Sequence, residues 1–243
     1  MVKRENFGSV SSSVPFMATS SSSNTQGKSS PKLPTTAETP KRRSAYAINT
    51  LDDNTWKLIE EKIINNPNLK WDDHALVGSV DNLGDGVRDT SKRNCKISFL
   101  DYYEELDKAF GSIVSEYNYE ISNWKYDIDT LESIQLTHYS EGDFYGWHID
   151  EFETNLIKGN GKESNRKISV TIFLNDPTEY EGGEFDLEVI GPTVNDWESR
   201  YVTLKLPKKS IVIFPSNKWH RVRPVTSGIR KSLVLWFQGT PFR

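Results

Sequence analysis

From about Leu131 to the C-terminus, apolar and polar residues alternate with a period of two, a pattern that suits antiparallel sheet and little else. Residues 131–139, 167–174, 184–190, 201–206, 210–214 and 230–237 read as strands. Turn chemistry separates them at Asp176-Pro177, Gly182-Gly183, Gly191-Pro192, Pro207-Lys208-Lys209 and Thr226-Ser227-Gly228. Upstream the period changes. Asp53 or Asn54 is placed to cap a helix that carries Trp56, Ile59 and Ile63 and ends near Asn66-Pro67. A second helix is predicted over residues 99–117, with Tyr103, Leu106, Phe110, Ile113 and Val114 on its buried side. The stretch between them, 78–94, is rich in Gly, Asp and Asn and is predicted as loop. Helices followed by a strand series give an α+β fold: a double-sheet β roll buttressed by helices on one face.

Residues 1–44 have too few large apolar side chains to form a core, and they read as a disordered, Ser/Pro-rich basic tail. The tail carries a balance of +5 against a formal total of −4, so residues 45–243 carry −9. An acidic body of this kind argues against nucleic acid as a partner. The run Lys41-Arg42-Arg43 reads as a solvated basic patch. No stretch is apolar enough to cross a bilayer and no secretory h-region is visible, so a cytoplasmic location is expected. The single cysteine, Cys95, excludes an internal disulfide and a Cys-rich zinc site; it reads as a small buried residue.

Any metal must therefore rest on carboxylates and the four histidines, His74, His138, His148 and His220. His148-Ile149-Asp150 follows the first strand, and in extended chain residues i and i+2 project to the same side. His220 follows the apolar run Ile211-Val212-Ile213-Phe214 and its turn, so a strand end delivers it to the same mouth. Two imidazoles and one carboxylate on one face suit non-haem Fe(II), with positions left for a chelating cosubstrate and O2. The same set also suits hydrolytic zinc. Arg230 lies on the strand after His220, and alternation places it on one face with Ser232, Val234 and Trp236. A buried guanidinium needs a carboxylate, and the distal end of 2-oxoglutarate would supply one as a bidentate pair. His138 is expected to face away from the site, and His74 to sit in a polar loop.

Four segments carry a family resemblance: Tyr139-x-x-Gly142-x-x-Tyr145-x-x-His148-x-Asp150, Ser169-x-Thr171-Ile172-Phe173-Leu174-Asn175, Tyr180-x-Gly182-Gly183-Glu184, and His220-Arg221-Val222-x-Pro224 through Gly228-x-Arg230 to Trp236-x-Gln238. Together they resemble the prolyl 4-hydroxylase-type oxygenases, and most closely the PKHD-type hydroxylases. The resemblance implies a double-stranded β-helix (jelly-roll, cupin-like) core over about 131–243, with a helical buttress over about 45–125. It implies Fe(II), 2-oxoglutarate and O2 as cofactors and cosubstrates, with ascorbate as an accessory reductant. It implies hydroxylation of a C–H bond in a peptide or protein, with a prolyl residue as the favoured target and release of succinate and CO2. Tyr139 matches the tyrosine that helps hold the distal carboxylate of the cosubstrate. Tyr145, Arg166 and Trp236 match substrate-pocket positions. The chain departs from the collagen-type pattern in having Arg230 rather than lysine, Phe185 rather than threonine, and Gln238 rather than histidine. A free amino acid or another protein side chain as substrate stays open, as do a zinc hydrolase and a non-catalytic β-roll binding module.

Overall fold

The computed structural model describes residues 43–72, 89–100, 102–152, 155–157, 161–191 and 196–241. The N-terminal half holds β1 (Ala47–Thr50), α1 (Asp53–Ile59), β2 (Arg93–Asn94), β3 (Lys96–Phe99), α2 (Glu104–Glu116) and β4 (Thr130–Tyr139). Beyond these come β5 (Phe144–His148), β6 (Leu156–Ile157), β7 (Glu163–Phe173), β8 (Tyr180–Gly182) and β9 (Phe185–Glu188). The chain closes with β10 (Tyr201–Leu204), β11 (Ser210–Pro215), β12 (His220–Val222), β13 (Val225–Gly228) and β14 (Arg230–Gly239). Both α-helices run on into a single π turn, Glu60–Ile64 and Tyr117–Ile121 respectively.

These strands form a major antiparallel sheet in the order β1-β11-β7-β14-β4-β3, with β6 paired to β7. A minor sheet runs β10-β9-β12-β5-β2, and a ribbon joins β13 to β8. The two larger sheets stack as a jelly roll. The period-two pattern of the major sheet is the reason it has two distinct faces. Ile134 and Leu136 on β4, Ile168, Val170 and Ile172 on β7, Ile211 and Ile213 on β11, and Leu233 and Leu235 on β14 turn outward. There they pack on Trp56, Ile59 and Ile63 of the first helix and on Leu106, Phe110 and Val114 of α2. The opposite face meets the minor sheet through Tyr139, Phe173, Val212, Phe214, Phe185 and Leu187. It also carries buried polar groups, among them Thr137, Ser169, Thr171, Arg230 and Ser232. One side is an apolar seat for the helices, and the other is a partly polar cavity wall.

The helical buttress is as expected from its periodicity, but its ends differ. Asp52, rather than Asp53 or Asn54, caps α1: its carboxylate accepts from Asn54 N and Thr55 N, each at 2.9 Å. The second helix starts only at Glu104, because Lys96–Phe99 is claimed by the edge of the major sheet, pairing with His138 to Gln135. Of the stretch predicted as loop, Arg93-Asn94 instead pairs with Tyr145-Phe144 on β5; residues 78–88 lie outside the described residues, as do His74 and residues 1–42. Ser44 is tied to the body at both backbone groups: its N–H donates to Ser122 O at 3.1 Å and its carbonyl accepts from the buried Trp124 Nε1 at 2.6 Å. Among the described residues no helix is long and apolar enough to cross a membrane.

Candidate metal centre

The minor sheet brings His148 and His220 together. β5 and β12 are antiparallel neighbours, and in their register His220 stands opposite His148. The imidazole centroids are 4.0 Å apart. Asp150 lies just beyond the end of β5, where its backbone N–H donates to Ser216 O at 2.9 Å and fixes the turn. Its Oδ1 is 3.7 Å from His148 Nε2 and its Oδ2 is 3.3 Å from His220 Nε2. One ligand atom from each residue lies within 4.8 Å of the others.

The outer ring nitrogens decide what these atoms can do. His148 Nδ1 contacts Gly146 O at 2.8 Å, and His220 Nδ1 contacts Lys218 O at 2.9 Å. A carbonyl oxygen only accepts, so each Nδ1 carries the proton and each Nε2 presents a lone pair inward. Burial holds His148 well below the ordinary histidine range. Burial alone would raise Asp150, but the contacts with His220 and His148 and the Arg166 cation lower it far below the usual carboxylate range. Its Oδ2 receives no hydrogen bond. Two lone pairs and an anion therefore converge in a dry pocket without a proton among them. Such a convergence suits a cation, and the nitrogen–oxygen donor set fits a first-row divalent metal.

The wall beside this centre is built on β14. Arg230 is 1% exposed, and its guanidinium sits between the rings of Tyr139 and Phe173, 5.4 and 5.2 Å from their centroids. Nη1 donates to Ser232 Oγ at 3.0 Å, while Nε and Nη2 have no acceptor. No acidic side chain forms an ion pair with Arg230 among the described residues. Two adjacent unsatisfied N–H groups form half of a bidentate carboxylate site, which fits the cosubstrate expected here.

Residues 134–238 match the family model of the 2OG-Fe(II) oxygenase superfamily. This match covers less than half of the chain. Curated relatives named PKHD-type hydroxylases agree. One from Stenotrophomonas maltophilia (strain R551-3) is 39% identical over 104 residues, which is 43% of this chain and 42% of that protein. One from Hyphomonas neptunium is 43% identical over 99 residues, covering 40% of this chain and 39% of its own. The chain thus spans less than half the length of the curated relatives it matches. The fold extends further than the sequence match. A Pseudomonas putida prolyl-4-hydroxylase aligns with a TM-score of 0.53 at 16% identity, over 82% of this chain and 94% of that one. A Trichoplax adhaerens prolyl hydroxylase, solved in complex with a hypoxia inducible factor oxygen degradation domain peptide fragment, aligns with a TM-score of 0.55 at 19% identity, over 80% and 83%.

Within the matched segment the remaining expected site residues lie close together. Tyr145 stacks on His148, with ring centroids 3.5 Å apart and an interplanar angle of 13°. Trp236 and Phe152 sandwich the Arg166 guanidinium at 3.9 and 4.4 Å from their centroids. Arg166 is also clamped in the plane by Glu132, Nε to Oε2 at 2.7 Å and Nη2 to Oε1 at 2.6 Å, and Gln238 Nε2 donates to the same Oε2 at 2.9 Å. Trp236 Nε1 is buried with no acceptor. His138 instead lies against Trp71, at 4.3 Å between centroids, away from the metal centre.

Sequence reasoning missed Arg93. This buried arginine on β2 lies 4.5 Å over the Tyr145 ring, and its Nε donates to Cys95 Sγ at 3.2 Å. Burial alone would lower its pKa; the neighbouring Cys95, Tyr139 and Tyr145 more than reverse that. It precedes the superfamily segment, in a polar stretch with no periodicity, so nothing in its surroundings marks it. Glu132 and Phe152 were missed as well: the pairing of β4 and β7 with β14 brings Glu132 to Arg166, and Phe152 is held by the Asn165 side chain, which bonds to both its N–H and its carbonyl.

Proposed function

We propose that this chain is an Fe(II)- and 2-oxoglutarate-dependent dioxygenase that hydroxylates a C–H bond, with a prolyl residue of a peptide or protein as the target. The convergence of two imidazole lone pairs and the Asp150 carboxylate beside the half-satisfied Arg230 fork carries this reading. In it, His148, Asp150 and His220 hold the metal, and Arg230, beside Tyr139, anchors the distal carboxylate of 2-oxoglutarate. Bound Fe(II) would supply activation of O2 coupled to decarboxylation of the cosubstrate to succinate and CO2.

The chain's own residues contribute orientation and exclusion. The carbonyls of Gly146 and Lys218 fix the tautomer and the ring plane of the two histidines. Tyr145 lies flat on His148 and, with Arg93 on the other face of its ring, blocks rotation of that imidazole. Ser232 holds the Arg230 Nη1, leaving Nε and Nη2 as the edge available to a carboxylate. Tyr145, Phe152 and Trp236 offer aromatic surface against which a pyrrolidine ring packs. The locked Arg166–Glu132 pair presents a rigid polar edge to a peptide backbone. The motif resemblance supports the prolyl target, and a peptide as the substrate class agrees with the Trichoplax neighbour having been solved with one.

The test is incubation of the Fe(II)-loaded protein with 2-oxoglutarate, O2 and a proline-containing peptide library, followed by mass spectrometry. The expected result is one oxygen atom on a prolyl residue for each succinate formed. Oxygen placed on another residue type overturns the prolyl assignment, and absence of succinate overturns the oxygenase reading.

A further inference from the structure

Tyr180, the first residue of β8, is 3% exposed; its hydroxyl lies against Arg230 and has no acceptor for its own proton. Its backbone is fixed. It pairs with Gly228 across the β13–β8 ribbon, and Lys205 Nζ donates to its carbonyl at 3.2 Å while lying 4.9 Å from the ring centroid. The Gly182-Gly183 turn that follows holds φ angles of +68° and +63°. A β-carbon at Gly183 would lie 3.0 Å from Arg230 Cδ and 3.3 Å from Tyr180 Cε2. The two side chains therefore close on the same point from either side of a residue that must be glycine for them to do so. Burial raises the Tyr180 phenol and outweighs the pull of Arg230, so the hydroxyl keeps its proton and remains a donor.

An Arg230 N–H thus comes within reach of the Tyr180 oxygen, while the phenol's own proton and the rest of the arginine fork find no acceptor in this corner. A buried donor without an acceptor is costly. A carboxylate, with its four lone-pair sites, satisfies the arginine fork with both oxygens and still accepts from a phenol. We propose that Tyr180 donates a hydrogen bond to the carboxylate that Arg230 anchors, and so tunes the site to a 2-oxo dicarboxylate rather than a 2-oxo monocarboxylate. This inference rests on the 2-oxoglutarate reading above.

The experiment measures equilibrium affinity rather than turnover. Anaerobic Fe(II)-loaded wild-type and Tyr180→Phe proteins are titrated calorimetrically with 2-oxoglutarate and with 2-oxobutyrate, which keeps the chelating end and lacks the distal carboxylate. The phenylalanine keeps the ring, and matching melting curves confirm an unchanged fold. The expected result is a Kd for 2-oxoglutarate raised about ten- to a hundredfold, the worth of a hydrogen bond to a charged group, with 2-oxobutyrate affinity unchanged. Equal 2-oxoglutarate affinity in the two proteins, or an equal loss for both ligands, overturns the role given to Tyr180. A wild-type protein that takes up Fe(II) but binds neither 2-oxo acid instead overturns the underlying reading, and this inference with it.

Discussion

His148 and His220 face each other across the β5–β12 ladder, with their rings 4.0 Å apart. Residues far separated in sequence thus become direct cross-strand neighbours, and a regular sheet register does the positioning. Phe214 and Phe185 line the other sides of His220, at 4.9 and 5.7 Å between centroids, so its ring has little freedom.

A metal that binds only where the β5–β12 register brings the ligands together stabilises the folded state. Fe(II) or Mn(II) at about 100 times its Kd adds about 2.7 kcal/mol by mass action. For a domain of this size that is a rise of about 5–10 °C in Tm. Scanning fluorimetry under anaerobic conditions checks this, and His220→Ala should abolish the shift. An equal shift in the variant would place the metal elsewhere.

Arg230 predicts a trade between stability and binding. Its two open N–H groups make it a buried charge without its counter-ion. Arg230→Met fills similar volume without the charge, so the ligand-free protein should gain about 1–3 kcal/mol. The same variant should lose the rise in Tm that 2-oxoglutarate gives the wild type. Urea unfolding with and without cosubstrate measures both. A destabilised variant that still responds to cosubstrate would remove Arg230 from the anchor.

His138 should titrate far from its ordinary range. Burial, reinforced by Lys231 and Lys96, lowers it to about 4. In the unfolded chain it binds a proton near pH 6.5, so between pH 6.5 and 4 the unfolded state holds more protons and stability falls with falling pH. The loss, on the order of 1–3 kcal/mol, is complete below pH 4, where both states are protonated. NMR titration of the ring protons gives the midpoint, and His138→Gln should flatten this part of the stability profile. A midpoint near 6.5 would show that the ring is solvated.

Asp186 is a structural anion on the outer face of the minor sheet. It is fully buried and accepts from Arg221 Nε at 2.7 Å, Arg223 Nε at 2.8 Å and Thr203 Oγ1 at 2.7 Å. Burial alone would raise its carboxyl, but those three partners hold it below the usual range. Its stabilisation is present above pH 4 and is lost as pH falls through the lowered value. Asp186→Asn should cost about 1–3 kcal/mol, discounted because both arginine heads reach solvent. A lower urea midpoint with unchanged Fe(II) stoichiometry is the expected outcome, since Leu187 and not Asp186 pairs with His220. Loss of metal in this variant would tie the outer face to the centre.

What the sequence could disclose follows from which interactions are local. Alternation along β4, β7, β11 and β14 is a property of each strand alone, so the major sheet and its apolar seat were readable residue by residue. His148 and Asp150 share a side because they are two apart in extended chain. The closure of the centre by His220 follows from its place at a strand end, and the inward turn of Arg230 from alternation along its strand; that Tyr139 and Phe173 flank the guanidinium depends on the pairing of β14 with β4 and β7. Other features depend on register between distant segments. β2 and β3 are too short to show a period, and pairing with β5 and β4 alone makes them strands. Arg93 is carried into the site by such a strand. Glu132 meets Arg166 only because β14 lies between β4 and β7. Asp52, rather than its neighbours, caps α1 because its backbone is the last extended one before the helix.

The central claim is that His148, Asp150 and His220 hold Fe(II) in a form that 2-oxoglutarate chelates while Arg230 grips its far end. The most direct measurement is the visible metal-to-ligand charge-transfer band of the anaerobic protein mixed with Fe(II) and 2-oxoglutarate, alongside Arg230→Ala and His220→Ala. The account predicts a band in the wild type, a weaker band in Arg230→Ala at limiting cosubstrate, and none in His220→Ala. A folded wild-type protein that takes up Fe(II) and shows no band, or a His220→Ala variant that keeps it, would contradict the account.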